Sequence, residues 1–257
     1  STVPKASDLW LKYELVEDLS LRSIYSQSLM TLSIGGNSDV TKAIQFEIET
    51  AFLGLFGIQP IMDTGSPMLV IGTPESSPII KELGICSELV KLGNEGFIVR
   101  NFLYRGRSII AIASIHEIGT LYGAFRFIRE LQQLRPINNL NIIDAPRIVH
   151  RMLNHWDNIM PNKYGTVERG YSGRSLWVWD ELPHRTSSHY RDYARAMASI
   201  GLNGVVLNNV NADPIILTTE YLEKVAVLAS SFRPYGIKVF VSASFAAPLP
   251  SAESPRF

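Results

Sequence analysis

The sequence predicts an α/β protein in two parts, an α/β layer domain over residues 1–145 and a run of parallel βα units over 146–257. Three observations predict it. Two segments in the first part, around 39–56 and 115–134, carry apolar residues at helical spacing on a single face. Short apolar runs bounded by glycine and proline stand between them as strands. After a turn-rich stretch at Asn138–Pro146 the pattern changes to strand, helix, strand, helix, strand, the rhythm of parallel βα architecture. A barrel or an open doubly wound sheet would satisfy that rhythm equally.

The elements follow in order. Ser28–Ile34 alternates and stops at Gly35-Gly36, which reads as a strand and turn. Ser38 or Asp39 then caps a helix whose apolar stripe is Val40, Ala43, Ile44, Ile48, Ala51, Phe52 and Leu55, ended by Gly57. Met68–Ile71 lies between Pro67 and Gly72 as a buried strand. Phe97–Leu103 and Ser108–Ala113 flank Tyr104-Arg105-Gly106-Arg107 and read as a hairpin. A second helix, from about Ile115 to Leu134, presents Ile118, Leu121, Tyr122, Phe125, Ile128 and Leu131. The expected domain is a small sheet with its helices on one side. In the second part, Met152–Trp156, Val205–Leu207 and Ile237–Val241 read as strands. Ser188–Ile200 and a segment capped by Thr218 or Thr219 and running to Phe232 read as helices.

Composition narrows the function classes. Hydrophobic residues make up 46% of the 257 residues and charged ones 19%, which supports a packed core rather than disorder. Lysine plus arginine equals aspartate plus glutamate at 24 each, so charge gives no case for nucleic acid or an anionic membrane. No apolar run reaches the roughly 18 residues of a membrane span. The opening Ser1-Thr2-Val3-Pro4 has no basic and apolar leader. The compartment stays open between the cytoplasm and a periplasmic or secreted site after leader removal. The single Cys86 excludes an internal disulfide.

Candidate chemistry concentrates in 151–180. Trp156, Trp177 and Trp179 are interleaved with Asn154, His155, Asp157, Asn158, Glu168, Arg169, Arg174 and Asp180. Indoles and polar groups directly after a parallel strand sit where α/β folds bind ligands. Indole faces suit sugar rings, and amides and guanidinia suit hydroxyls and an acid group. Against this, Trp177 and Trp179 read more readily as wall packing, and Glu168 with Arg169 as a loop ion pair. Asn208-Asn209-Val210-Asn211 follows the next strand and reads equally as a ligand contact or a loop closure. His150 and His155, like His184 and His189, are five apart, the wrong spacing for two ligands on one helix face. No metal and no cofactor are therefore expected. No carboxylate pair stands out by spacing, so no catalytic residue is assigned within 1–257.

Several strings are specific. They are Arg151–Asn158 (RMLNHWDN), Thr166–Ser175 (TVERGYSGRS), Asp192–Ala196 (DYARA), Ile200–Gly204 (IGLNG), Val206–Ala212 (VLNNVNA) and Arg233–Lys238 (RPYGIK). Together they resemble the start of the catalytic barrel of bacterial α-glucuronidases of glycoside hydrolase family 67. In the first part Leu121–Phe125 (LYGAF) matches best. The resemblance implies that the second part is the opening of a TIM (β/α)8 barrel, incomplete here. It implies removal of 4-O-methyl-D-glucuronic acid, α-1,2-linked to xylooligosaccharides from glucuronoxylan, with inversion and without a metal. It also implies that Trp156 packs on the uronic acid and Val210 forms an apolar wall. Asp157, Asn158, Arg169, Arg174, Asn209 and Asn211 are further substrate-binding candidates. The family's catalytic carboxylates would come from later strands, and the full-length enzyme is compatible with a homodimer. The residues 1–257 alone are expected to be inactive. A non-catalytic carbohydrate-binding or structural fragment is the alternative reading.

Overall fold

The computed structural model describes residues 9–63, 65–157, 159, 175–185, 188–210 and 214–243. The chain divides into two compact units. One is Pro4–Val149 together with Arg195–Gly201; the other is His150–Ala194 and Leu202–Phe257, with Ser1–Val3. Among the described residues no helix is long and apolar enough to cross a membrane.

The first unit is built on a mixed six-stranded sheet. Its elements are α1 (Leu19–Ser28), β1 (Thr31–Ile34), α2 (Asp39–Phe56), β2 (Ile61–Met62), β3 (Leu69–Gly72), α3 (Pro78–Glu82), α4 (Cys86–Leu92), β4 (Phe97–Tyr104), β5 (Arg107–Ala113), α5 (Glu117–Gln132) and β6 (Asn141–Asp144). The strand order is β2-β1-β3-β5-β4-β6. The β2–β1, β1–β3 and β3–β5 pairs are parallel, and β4 runs antiparallel to both β5 and β6. The hairpin forms where expected. Its two central residues, Arg105 and Gly106, both have positive φ, 48° and 79°, the twist that lets two-residue turns join antiparallel strands.

The α2 helix starts at Ser38, whose hydroxyl accepts from the Thr41 amide at 3.1 Å, and stops at Gly57. It packs beside α5 on one face of the sheet. Strand alternation then places Val70, Ile98, Ile109, Ala111 and Ala113 on the opposite face, where they pack with Ile79, Ile80, Ile85 and Leu89 of the α3–α4 region. The expectation of helices on one side is therefore corrected. The two long helices share a face, but α3 and α4 cover the other. Ser77-Pro78 carried the missed signal, a cap accepting from the Ile80 amide at 3.3 Å followed by proline in the first helical turn.

Two further expectations change. Ser28 ends α1 and the first strand begins only at Thr31. The α1 segment escapes periodicity because it is serine-rich and buries only Tyr25, yet Asp18 caps it by accepting from the Leu21 amide at 3.0 Å. The stretch read as turn-rich contains β6, which pairs with β4 over Phe97–Arg100. Asn141 and Asp144 are turn formers locally, but the open edge of β4 supplies partners that outweigh that preference.

The second unit carries a three-stranded parallel sheet, β7 (Met152–Asn154), β8 (Gly204–Val206) and β9 (Lys238–Phe240), in that order. β7 and β9 are shorter than expected and β8 begins one residue earlier, although the His155 amide still donates to the Val206 carbonyl at 3.0 Å. Helix α6 (Ser188–Ser199) follows β7, and its last turn, from Arg195, belongs to the first unit. Helix α7 (Thr219–Phe232) buries Tyr221, Lys224, Leu228 and Phe232, a one-sided stripe. Thr218 occupies its N-cap without a side-chain bond to the helix; its hydroxyl donates instead to the Ile215 carbonyl at 2.7 Å.

Candidate sugar-binding end of the parallel sheet

One face of the β7–β9 sheet is closed and the other open. Along β7 and its extension, Met152, Asn154 and Trp156 are exposed, while Leu153 and His155 are partly covered. Lys238 and Phe240 of β9 lie on the same open face by register with Met152 and Asn154 through β8. Gly204 in the middle has no side chain, and Met152 and Phe240 lean over it. A Cβ there would meet the Met152 side chain at 2.6 Å and the Phe240 ring at 3.4 Å.

The closed face is an aromatic cluster centred on Trp177. Its indole stands edge-on to His155 (5.5 Å, 87°) and Tyr193 (5.1 Å, 84°), and Phe232 lies 5.6 Å away. The indole N–H donates to the Leu207 carbonyl at 3.3 Å. Trp179 is also buried, against Tyr221, with its N–H on the Ser175 hydroxyl at 3.1 Å. Both tryptophans therefore pack the wall, the reading the sequence favoured. His155 and Tyr193 share a hydrogen bond of 2.6 Å between the imidazole Nε2 and the phenol oxygen. Burial pushes the Tyr193 phenol well up, and the nearby Asp157 carboxylate adds to this, so the hydroxyl keeps its proton.

The residues beyond the strand ends are held by directional bonds. Asp157 is buried. One oxygen of its carboxylate accepts from the Ser175 hydroxyl (2.9 Å) and the Leu176 amide (2.8 Å), and its carbonyl accepts from the Asn209 amide (3.0 Å). Asn208 bridges to the segment after β9, donating to the Ser242 carbonyl (2.9 Å) and accepting from the Ser242 amide (2.8 Å). Asn208 thus closes a loop, one of its two sequence readings. Trp156 precedes Asp157, and Val210 follows Asn209. Each is about half exposed, at 47% and 45%. The Asp157–Asn209 bond brings their two backbone segments together at one end of the sheet. Asn209 is itself buried at 2% exposure. Asn158, Arg169, Arg174 and Asn211 lie outside the described residues, as does Glu168.

His155 and His189 are both pushed below the ordinary value of 6.5. Burial is the main cause in each, opposed at His155 by Asp157 and at His189 by Glu181 and Asp192. A histidine buried neutral is protonated more readily in the unfolded chain. Its contribution to stability is complete above about pH 6.5 and is lost as the pH falls toward the depressed folded value. Urea midpoints are expected to fall between about pH 7.5 and about pH 5.5, and the fall should be smaller in His155→Gln. An unchanged pH slope in that variant would show that His155 does not contribute.

Comparison with known proteins divides the chain elsewhere, within α5. Residues 9–127 match the model of the glycosyl hydrolase family 67 N-terminus, and residues 130–256 match that of the family 67 middle domain. Alpha-glucuronidase A of Emericella nidulans is 31% identical over 249 residues, which is 93% of this chain and 28% of that protein. The probable alpha-glucuronidase A of Aspergillus oryzae is 32% identical over 247 residues, again covering 93% and 28%. The alpha-glucuronidase of Hypocrea jecorina is 29% identical over 253 residues, covering 94% and 29%. These relatives are fungal, which corrects the expected likeness to bacterial members. The chain spans under a third of their length. Among solved structures, a family GH115 4-O-methyl-α-glucuronidase with specificity for decorated arabinogalactans aligns with a TM-score of 0.56 at 15% identity. The alignment covers 86% of this chain and 29% of that one. A GH138 enzyme targeting pectin rhamnogalacturonan II aligns at 0.53 with 14% identity, covering 82% and 24%. At such identities the likeness is one of fold. With two family 67 models together matching residues 9–127 and 130–256, this chain belongs to glycosyl hydrolase family 67.

Proposed function

We propose that this chain supplies the N-terminal domain and one pocket wall of an α-glucuronidase. The whole protein would hydrolyse the α-1,2 bond of (4-O-methyl)-D-glucuronic acid on xylooligosaccharides, with inversion. In this reading residues 1–145 are the N-terminal α/β domain and 146–257 open a (β/α)8 barrel with β7, β8 and β9 as its first strands. The observation that carries it is the exposed Trp156 indole at the C-terminal end of a parallel strand, beside a backbone segment ending at the exposed Val210. Such ends are where α/β enzymes hold substrate. Asn209, buried beneath them, would line the base of this wall.

Inversion needs a carboxylic acid on the leaving oxygen and a carboxylate activating water across the sugar, roughly 6.5–9.5 Å apart. Asp157 is poorly suited to either role. One of its oxygens is already taken by two donors, and the side chain is only 8% exposed. Its chemistry is that of a clamp on the loop. Both reacting carboxylates are assigned to residues outside this chain.

Trp156→Ala in the whole natural protein tests the reading. A lost stacking face is worth about 0.5–1.5 kcal/mol beyond area burial, so kcat/KM on aldouronic acids should drop by up to about tenfold. Stability should change by no more than about 1–3 kcal/mol, because only about half of the side chain is covered, and the variant should remain folded. Wild-type kinetics in the variant would remove Trp156 from the site.

A further inference from the structure

We infer that the His155–Tyr193 pair is a positioning device for Trp156, setting the direction of the sugar-stacking indole from the opposite face of the sheet. The inference rests on the proposed role of Trp156 and adds two residues that do not touch substrate.

Trp156 is half exposed, so part of its surface is left without packing. Its neighbours on either side are fixed. His155 continues the β7 ladder through its amide bond to the Val206 carbonyl. Its imidazole points into the closed face, edge-on to Trp177 and 2.6 Å from the Tyr193 hydroxyl. Adjacent residues on extended backbone point to opposite faces. Locking the His155 ring inward therefore turns Trp156 outward, and the alternation of exposure from Met152 to Trp156 follows this pattern. On the other side, Asp157 is clamped by Ser175, Leu176 and Asn209. An aromatic platform held through its backbone loses little freedom when a sugar lands on it, which is what preorganisation contributes to binding.

Of the two anchors, the His155 imidazole is held by one side-chain hydrogen bond, that to the Tyr193 hydroxyl. The Tyr193 ring is packed independently against Trp177 and against Phe232, 5.6 Å away, so removing its hydroxyl leaves the packing in place. Tyr193→Phe thus tests the bond and little else. The imidazole would then keep its cavity but lose the partner that fixes its rotation.

The experiment uses the whole natural protein labelled with fluorotryptophan, the Trp156 fluorine signal being identified by its loss in Trp156→Phe. In Tyr193→Phe the Trp156 signal should shift or broaden while circular dichroism stays that of the wild type. KM on glucuronosyl xylooligosaccharides should rise about three- to tenfold with kcat within about twofold, the mark of lost binding rather than lost chemistry. In a Trp156→Ala background, Tyr193→Phe should add no further KM penalty, because the bond acts through the indole. His155→Gln, whose amide can still reach the phenol, should keep the Trp156 signal close to wild type, and His155→Leu should disturb it. That pair serves if Tyr193→Phe does not fold. An undisturbed Trp156 signal in both Tyr193→Phe and His155→Leu overturns the inference, as does a full KM penalty with Trp156 already absent. Wild-type KM in Trp156→Ala would instead remove Trp156 from the proposed site, and the fluorine signals would still decide the positioning role.

Discussion

Arg195→Met should destabilise the protein by about 3–5 kcal/mol, a large share of the stability of an ordinary domain. Arg195 lies in the last turn of α6, within the first unit. Its guanidinium grips Glu47 of α2 with two bonds, Nε to Oε2 at 2.7 Å and the second terminal nitrogen to Oε1 at 2.9 Å. The Arg195 side chain is 7% exposed and that of Glu47 is fully buried. Tyr13 completes the group by donating its hydroxyl to Glu47 Oε1, and burial with the adjacent carboxylate pushes that phenol far up. Phe46 lies under the guanidinium, 5.4 Å from the ring centre. Removing the arginine leaves a carboxylate in the core without its counter-charge, which is why one substitution costs so much. Removing the whole group should cost much less. The triple variant Tyr13→Phe, Glu47→Leu, Arg195→Met removes the buried charges together with the phenol hydroxyl bonded to them and is expected to recover most of the loss. Urea unfolding of the single and triple variants checks both statements. A single variant within about 1 kcal/mol of wild type would show that the pair is not isolated from water.

Trp177→Ala should cost about 3–5 kcal/mol by emptying the centre of the aromatic cluster. The indole is 3% exposed and holds His155, Tyr190, Tyr193 and Phe232 together, and its N–H would leave the Leu207 carbonyl without this donor. The loss should be local to the second unit. Hydrogen exchange at the β7, β8 and β9 amides should accelerate strongly, while α2, α5 and the six-stranded sheet keep their protection. Equal acceleration in both units would show that they unfold as one. Trp156→Ala and Trp177→Ala make opposite predictions from the same residue type, twenty-one positions apart. On the proposed function the exposed indole would matter to binding, and the buried one to folding.

Local pattern was enough for the elements whose stabilising partners are near in sequence. The α2 stripe from Val40 to Leu55, its Ser38 cap, the Arg105-Gly106 hairpin turn and the βαβαβ order of the second unit all follow from periodicity and turn chemistry. The dense strings between Arg151 and Lys238 were enough for the family. Elements stabilised from outside were not legible in this way. The β6 strand exists because β4 offers an open edge, and α3 and α4 because the second face of the sheet needs cover. Glu47 did carry a signal, an acid on the apolar stripe of a helix, which calls for a buried cation. Which cation it was could not be read, since Arg195 lies 148 residues away. The same holds for His155 and Tyr193, 38 residues apart. Periodicity tells which face of an element is apolar. What meets that face is decided by contacts across the chain, and here only the tertiary structure supplied them.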